Sequence, residues 1–514
     1  MTDDSLKPED LRLPANVVAR HAVVDAEQWL ACAQRLHDQG AGLLTLWGTD
    51  DRDRDGAFRV FAALLLPDQV MVLEHALAGG NTVYPALGHL FPVADRLQRA
   101  LYDLLGLRAD AGDGRPWLRH GGWPENIFPL RRDVGATQSY AIHAKPYPFV
   151  PVSGDGVHEI AVGPVHAGTI EPGHFRFSVV GEKVLRLEER LGYAHKGIAK
   201  RFDRLPLQEG HRLAARICGD STVAFSWAYC AALEAITETE LPRRAAALRA
   251  LALERERIAN HLGDLGGLGN DAGLAFGLVQ FSSLKEQLVR LNQDAFGQRY
   301  LFDYLLPGGV VIDLGARMIR SMLDEVAMLG QAVSTLRAIF DDHAGMQDRF
   351  RDAGLLSPEL ARAHGAIGLV GRASGVARDA RIDLPWPPYD VLQPGRVLRS
   401  EGDVAARVQV RFDEIMDSLR LCRSLLQTLP EGPSLVPVPV APPDRLGLGL
   451  IEGWRGPVLI ALGTAPDNRV RHCHAHDSSW QNWPLIEYAM IGNIVPDFPL
   501  INKSFNLAYS GHDG

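Results

Sequence analysis

Residues 215–230 read ARICGDSTVAFSWAYC. Cys218-Gly219 would begin a pair of thiols one helical turn apart if a cysteine stood at position 221, but Ser221 stands there. A tightly held soft metal ion needs several thiolates converging on it. Cys218 offers one, Ser221 is a poor soft ligand, Phe225 is none, and Cys230 lies twelve residues on. The stretch NIVPDFPLINKSFNLAYSGHDG at 493–514 has no cysteine, so no second thiol pair comes from there. On these counts the chain cannot build a four-thiolate site, and Cys218 is expected to be structural or to line a cavity.

Three further stretches hold residues that can do chemistry. In GPVHAGTIEPGHFRF, His166, Glu171, His174 and Arg176 crowd into a glycine- and proline-punctuated turn between two strands. A histidine–carboxylate pair in such a turn can relay protons, and a polar surface hairpin would carry the same residues. LEERLGYAHKGIAKRF, residues 187–202, is dense in charge, with Glu188, Glu189, Arg190, His195, Lys196, Lys200 and Arg201. A solvated face is the usual meaning of such a run, and holding cations against an anionic cofactor of a neighbouring subunit is the alternative. RHCHAHD, residues 471–477, places His472, His474 and His476 on one side of a strand and Cys473 on the other. Three imidazoles so spaced can meet one zinc ion, yet closed zinc sites more often draw ligands from separate elements, which leaves a solvated strand as the competing reading.

The elements that must position these residues suggest two modules. At 514 residues the chain exceeds one ordinary core. Residues 1–135 alternate short apolar runs with charged turns and then show helical spacing in LFPVADRLQRALYDLLGL, which predicts a small α+β domain. AKPYPFVPVSGDG lies in a proline- and glycine-rich linker over 136–156. From 157 to 202 the pattern is β-rich, with a turn at Val180–Lys183; from 203 to 430 it is helical; 431–514 returns to short strands and turns in an α+β piece. The clearest helix has Val408, Phe412, Ile415, Leu419, Cys422, Leu426 and Leu429 on one stripe. In a second, Glu254 and Arg255 lie close to the apolar stripe and need partners, in a polar cavity or in an ion pair at the bundle edge.

Composition narrows the function. The formal net charge of −9 argues against a general nucleic-acid binder. No long uncharged apolar run predicts a membrane span, and MTDDSLKPEDLRLP lacks the build of a signal peptide. Five scattered cysteines fit a reducing compartment and no disulfide framework.

Seven blocks recur in a family order: GPVHAGTIEPGHFRFSVVGEKVLRLEERLGYAHKGIAKRF, ARICGDSTVAFSWAYCAALEAI, ERERIANHLGDLG, RYLFDYLLPGGV, GRASGVARDARIDLPWPPYD, GDVAARVQVRFDEIMDSLRLCRSLLQTLPEGP and IEGWRG. Together they resemble the large subunit of membrane-bound [NiFe]-hydrogenases of the formate hydrogenlyase and hydrogenase-4 type, and the related 49-kDa subunit of respiratory complex I. The first unit resembles the 30-kDa complex I subunit through LQRALYDLLGL and GWPENIFPLRRD, with Gln98 and Ala100 where that family has acidic residues. Fusion of the two is typical of the hydrogenase-4 type.

The resemblance implies an α+β first domain, then a helix bundle with β-rich flanks. It implies an oxidoreductase subunit in electron transport and proton translocation, within complexes associated with NAD and quinone binding. The partners implied are an iron–sulfur small subunit holding a [4Fe-4S] cluster and antiporter-like and other membrane subunits, with the chain peripheral on the cytoplasmic face of the inner membrane. Arg176, His195, Lys196 and Arg216 would face the cluster-bearing partner, and Glu171 matches the proton-shuttling carboxylate. Cys218 matches the first nickel-ligand cysteine, whereas Ser221 and Phe225 replace the second cysteine and a histidine, and the carboxy-terminal pair is absent near Asp497–Ser504. On the complex I side, Pro172 and Gly219 fall where a histidine and tyrosine meet the quinone head. The expectation is therefore a subunit without its own Ni–Fe centre, in which Glu171, His166, His174, Asp220 and Cys218 line the cavity and a quinone is one acceptor. A genuine hydrogenase drawing on Cys218, His472, His474 and His476, and a scaffold without catalysis, are the alternatives.

Overall fold

The structure, a computed structural model, describes residues 9–12, 18–135, 138–141, 145–166 and 170–514. The first module is a five-stranded sheet in the spatial order Glu9–Arg12, Val18–Val24, Gln69–Leu77, Ala57–Leu65, Gly42–Asp51. Val18–Val24 and Gln69–Leu77 pair in parallel, with the helix Ala26–Asp38 packed against both; the other pairs are antiparallel. That helix starts where Asp25 accepts from the Gln28 N–H at 2.8 Å and Gln28 returns a bond to the Asp25 N–H. Alternation sorts the strand residues onto two faces. Phe58, Val60, Ala62 and Leu64 pack with the helix Ala94–Leu105 and the main core, while Trp47, Phe61, Val70 and Val72 pack on Leu448, Leu450, Leu459 and Ala461 from the far end of the chain.

The second module opens with an antiparallel sheet of Val157–Val162, His174–Val180 and Lys183–Arg190, whose hairpin turns at Gly181 with φ +59°. Long helices follow: Thr222–Ile236, Arg243–Asp271, Ala275–Phe296, Ala316–Asp342 and Val404–Gln427. In the last, Val408, Phe412, Ile415, Leu419, Cys422 and Leu426 are buried, as their spacing predicts. A three-stranded antiparallel sheet, Leu446–Glu452, Pro457–Ala465 and Arg469–His476, then faces the first module.

Two expectations are corrected. Beyond His476 the chain is helical rather than strand and turn, in Ser479–Ala489, Phe498–Phe505 and Tyr509–Asp513. Trp480, Trp483 and Ile486 recur at a helical period that Pro484, inside the first of these helices, obscures. The start of the 187–202 run is not a solvated face either: Glu188, Glu189 and Arg190 are buried. They lie at the junction between the modules, where Arg96 pairs with Glu189 and with Glu487 at 2.9 Å, and Arg115 with Glu188 at 2.6 Å. Glu254 and Arg255 are likewise buried in ion pairs. Glu254 meets Arg381 at 3.0 Å, Tyr389 Oη at 2.6 Å and Ser418 Oγ at 2.5 Å; Arg255 meets Glu325 at 2.6 Å.

Candidate functional site

Cys218 lies in the tight turn that feeds the helix Thr222–Ile236, and its thiol donates to Asp220 Oδ1 at 2.8 Å. Two elements from elsewhere fix Asp220. From the long helix Arg243–Asp271, Asn260 Nδ2 donates to the Asp220 carbonyl at 2.8 Å. From the hairpin between Leu446–Glu452 and Pro457–Ala465, Trp454 Nε1 donates to the same carbonyl at 2.8 Å. Arg455 then forks onto the carboxylate at 2.7 and 2.5 Å, and stands 3.4 Å from Ser221 Oγ and 3.7 Å from Cys218 Sγ. The hairpin packs this close because the residue after Arg455 is a glycine. Gly456 has φ +144°, and a Cβ there would lie 2.9 Å from Gly368 Cα. Arg455 Nε also donates to Asn506 O at 2.5 Å, tying the C-terminal segment in place.

These contacts set the charges. Burial opposes ionisation of Asp220, but the Arg455 guanidinium outweighs it and holds the carboxyl below its usual range. Burial, reinforced by Asp220, pushes the Cys218 thiol well up, so it stays protonated. Beneath the turn, Glu256 accepts from the Val223 and Ala224 N–H groups at 2.6 and 3.3 Å, at the open end of the helix. Burial nevertheless raises it to about 8, so this carboxyl carries a proton at neutral pH. His261, one turn along the same helix and edge-on to Trp454, bonds Glu414 at 2.9 Å.

The other predicted residues distribute around this centre. Glu171 is exposed, and its Oε2 accepts from the Ser510 N–H at 2.9 Å. His174 Nδ1 lies 3.3 Å from Gly163 O, and Arg176 pairs with Glu159 at 2.7 Å; both flank the Phe149 ring. His166 stands edge-on to Phe175. Burial lowers both histidines, keeping them neutral. No hydrogen bond among the described residues joins Glu171, His166 or His174 to Asp220; residues 167–169 of that loop lie outside the described set. Lys196 Nζ donates to the Arg216 and Ile217 carbonyls at 3.0 and 2.7 Å, just ahead of Cys218. Arg216 forks onto Asp303 at 2.7 Å on the surface, and His195 Nδ1 is 2.7 Å from Asp513 O. The three strand histidines have separate surroundings. His474 bonds Thr45 at 2.8 Å and stacks on Trp47, His476 is 3.0 Å from Gln481, and His472 packs on Gly463.

The donor set at Cys218 is one protonated thiol, one hydroxyl and one carboxylate already taken by an arginine. That does not fit a four-thiolate centre. Cys32, Cys230, Cys422 and Cys473 are buried on other elements, and no group of three or more His, Cys, Asp or Glu among the described residues is placed to hold a metal ion. Sequence reasoning missed Arg455, Trp454, Glu256 and the closing segment Asn506–Ser510, which lies a few residues beyond Asp497–Ser504. The block IEGWRG contains the arginine, but pattern alone does not show that it reaches Asp220.

A sheet-and-helix module is thus fused to a helix bundle, with the Cys218–Asp220–Arg455 cluster at the turn ahead of the helix Thr222–Ile236, and similarity to known proteins places this architecture among respiratory oxidoreductase subunits. The chain belongs to the family of large subunits of membrane-bound hydrogenases of the formate hydrogenlyase and hydrogenase-4 type, related to complex I. Residues 22–140 match the family model of the respiratory-chain NADH dehydrogenase 30 Kd subunit, and residues 271–445 that of the 49 Kd subunit. Formate hydrogenlyase subunit 5 of Escherichia coli (strain K12) is 30% identical over 93% of this chain and 85% of its own length. Hydrogenase-4 component G of the same organism is 30% identical over the same shares. Among solved structures, the membrane-bound sulfane sulfur reductase, an archaeal respiratory membrane complex, contains a chain matched with a TM-score of 0.66 and 25% identity. The match covers 71% of this chain and 100% of that one. The protein is thus an oxidoreductase subunit related to members of membrane complexes. Among the described residues no helix is long and apolar enough to cross a membrane.

Proposed function

We propose that this chain is the large subunit of a membrane-attached, complex I-like oxidoreductase, that it holds no Ni–Fe centre of its own, and that it manages protons beside a [4Fe-4S] partner. The observation that carries this reading is the Arg455–Asp220 fork in front of Cys218, where a permanent ion pair stands beside a lone thiol. In this reading the module 1–135 is joined by a linker at 136–156 to the module 157–514, docked at the cytoplasmic face through membrane subunits. Lys196, Arg216, His195 and Arg176 contribute to the face toward the iron–sulfur partner.

Each group of the site has a distinct part. Asp220 is a fixed negative charge, held ionised by Arg455. Glu256 keeps a proton at neutral pH and is the buried group that responds to a change of charge nearby. Glu171, exposed and anchored to the Ser510 N–H, exchanges protons with the cleft. A quinone or another two-electron acceptor would take the electrons in the assembled complex. The test is metal and turnover analysis of the purified complex. The expected result is no stoichiometric nickel, with proton-coupled turnover reduced in Glu171→Gln; stoichiometric nickel would establish a hydrogenase centre. Unchanged turnover in Glu171→Gln would remove that residue from the mechanism. Turnover unaffected by substitution of Glu171, Asp220 and Glu256, with assembly lost only in Arg216→Ala, would leave a scaffold.

The retained thiol favours one second reading, reduction of sulfur–sulfur bonds, the chemistry named for the archaeal relative. Its difficulty is that burial keeps Cys218 protonated, and the thiolate is the nucleophile. A Cys218→Ser complex with full activity on polysulfide would exclude the thiol from it.

A further inference from the structure

A cavity of about 160 Å³ lies at the junction of the modules; Ile217 lines it, and Cys218, Asp220 and Arg455 do not. Leu97, Leu101 and Leu105 wall it from the helix Ala94–Leu105, and Trp47, Ile217 and Trp480 from elsewhere, so most of its surface is apolar. That volume accommodates about one substituted aromatic ring, since an apolar protein cavity of roughly 150 Å³ takes up benzene. Over the apolar part of the wall water is a poor occupant, because each molecule needs two to four polar partners; the polar part includes the carboxylates Asp50, Asp203 and Asp513 beside the cationic groups. Arg132 is paired with Asp203 at 2.8 Å, and Arg471 with Asp51 at 2.7 Å.

Two wall residues are less fully engaged. Lys200 Nζ donates to the Arg131 carbonyl at 3.2 Å, and among the described residues no carboxylate forms an ion pair with it. Its surroundings are dry enough that burial lowers its pKa, which an anion in the cavity would reverse. His472, also on the wall, is held neutral by burial, and its Nδ1 has no partner among the described residues. An apolar pocket with a few converging polar groups is the usual form of a small-molecule site.

We propose that this cavity binds a compact, mainly apolar molecule of about one substituted ring bearing a single carboxylate, with Lys200 as the anion's partner. Such a ligand would touch both modules at once and hold them together, independently of what happens at Cys218.

The probes are 4-methylbenzoate and its neutral counterpart toluene, titrated calorimetrically into the full chain. The wild type is expected to bind both. Ala100→Leu, which adds side-chain volume at the wall, should lose both. Lys200→Met should keep toluene while weakening 4-methylbenzoate at least ten-fold. Absence of wild-type binding at millimolar probe, or equal 4-methylbenzoate affinity in Lys200→Met, overturns the proposal. If Ala100→Leu fails to melt cooperatively, the Lys200→Met comparison decides alone.

Discussion

Arg455 and Glu256 both hold the segment from Asp220 to Ala224, and each makes a separate prediction. Arg455→Met removes the fork on Asp220 and the bond to Asn506 O, leaving a carboxylate without its counter-charge. A loss of roughly 2–3 kcal/mol in urea denaturation is expected, less than for a fully enclosed pair because Asp220 keeps some exposure. Glu256 acts through pH. Its carboxyl moves from 4.5 to about 8 on folding because burial disfavours the charge. Between those values the folded chain holds a proton that the unfolded chain has released, so stability falls as pH rises through the window. The slope is at most about 1.4 kcal/mol per pH unit from this group. Glu256→Gln keeps an acceptor for the Val223 N–H and should flatten that part of the melting profile between pH 5 and 8. A variant whose profile matches the wild type would show that Glu256 is ionised in the folded chain.

The long helix Arg243–Asp271 is charged on faces that are buried, and it tolerates this because neighbouring elements return a partner for each group. Arg372, on the separate short helix Gly368–Ala373, is enclosed in the same way. Its guanidinium meets Glu414 and Glu452 at 2.8 Å each, inside the bundle and away from solvent. Arg372→Met should cost about 3–5 kcal/mol, read from chemical denaturation, because the enclosed Glu452 loses its ion-pair partner and Glu414 keeps only Arg257 and His261. This scale also shows what the sequence made legible. The helix Val404–Gln427 was readable because one stripe repeats at a helical period, and the Val180–Lys183 turn because apolar alternation breaks around a glycine. The closing helices after His476 were not, because Pro484 and Asn506 look like turn signals when packing is invisible. Charge density at Glu188–Arg190 suggested solvent, since a partner such as Arg96, far away in sequence, cannot be inferred from local pattern. At the candidate site, the shortage of thiols was legible, whereas the arginine that fills in for them came from a hairpin more than two hundred residues downstream.

At the scale of the whole molecule, the two modules are fastened by buried charge as well as by apolar contact. Arg96 serves two carboxyl groups, Glu189 and Glu487, and burial raises both above the usual carboxylate range. Arg96→Ala should loosen the junction. Limited proteolysis is expected to cut within 136–156 several-fold faster than in the wild type, and an unchanged rate would show that apolar packing alone holds the modules. The face-to-face packing of Trp47, Phe61, Val70 and Val72 on Leu448, Leu450, Leu459 and Ala461 has a further consequence, for biogenesis. At roughly 5–20 residues per second, a ribosome takes about 20–75 s to reach the later strands after finishing the earlier ones. Throughout that interval a greasy, strand-forming surface is bare on the nascent polypeptide, so efficient production of this subunit should depend on a chaperone that shields its amino-terminal sheet until translation nears completion.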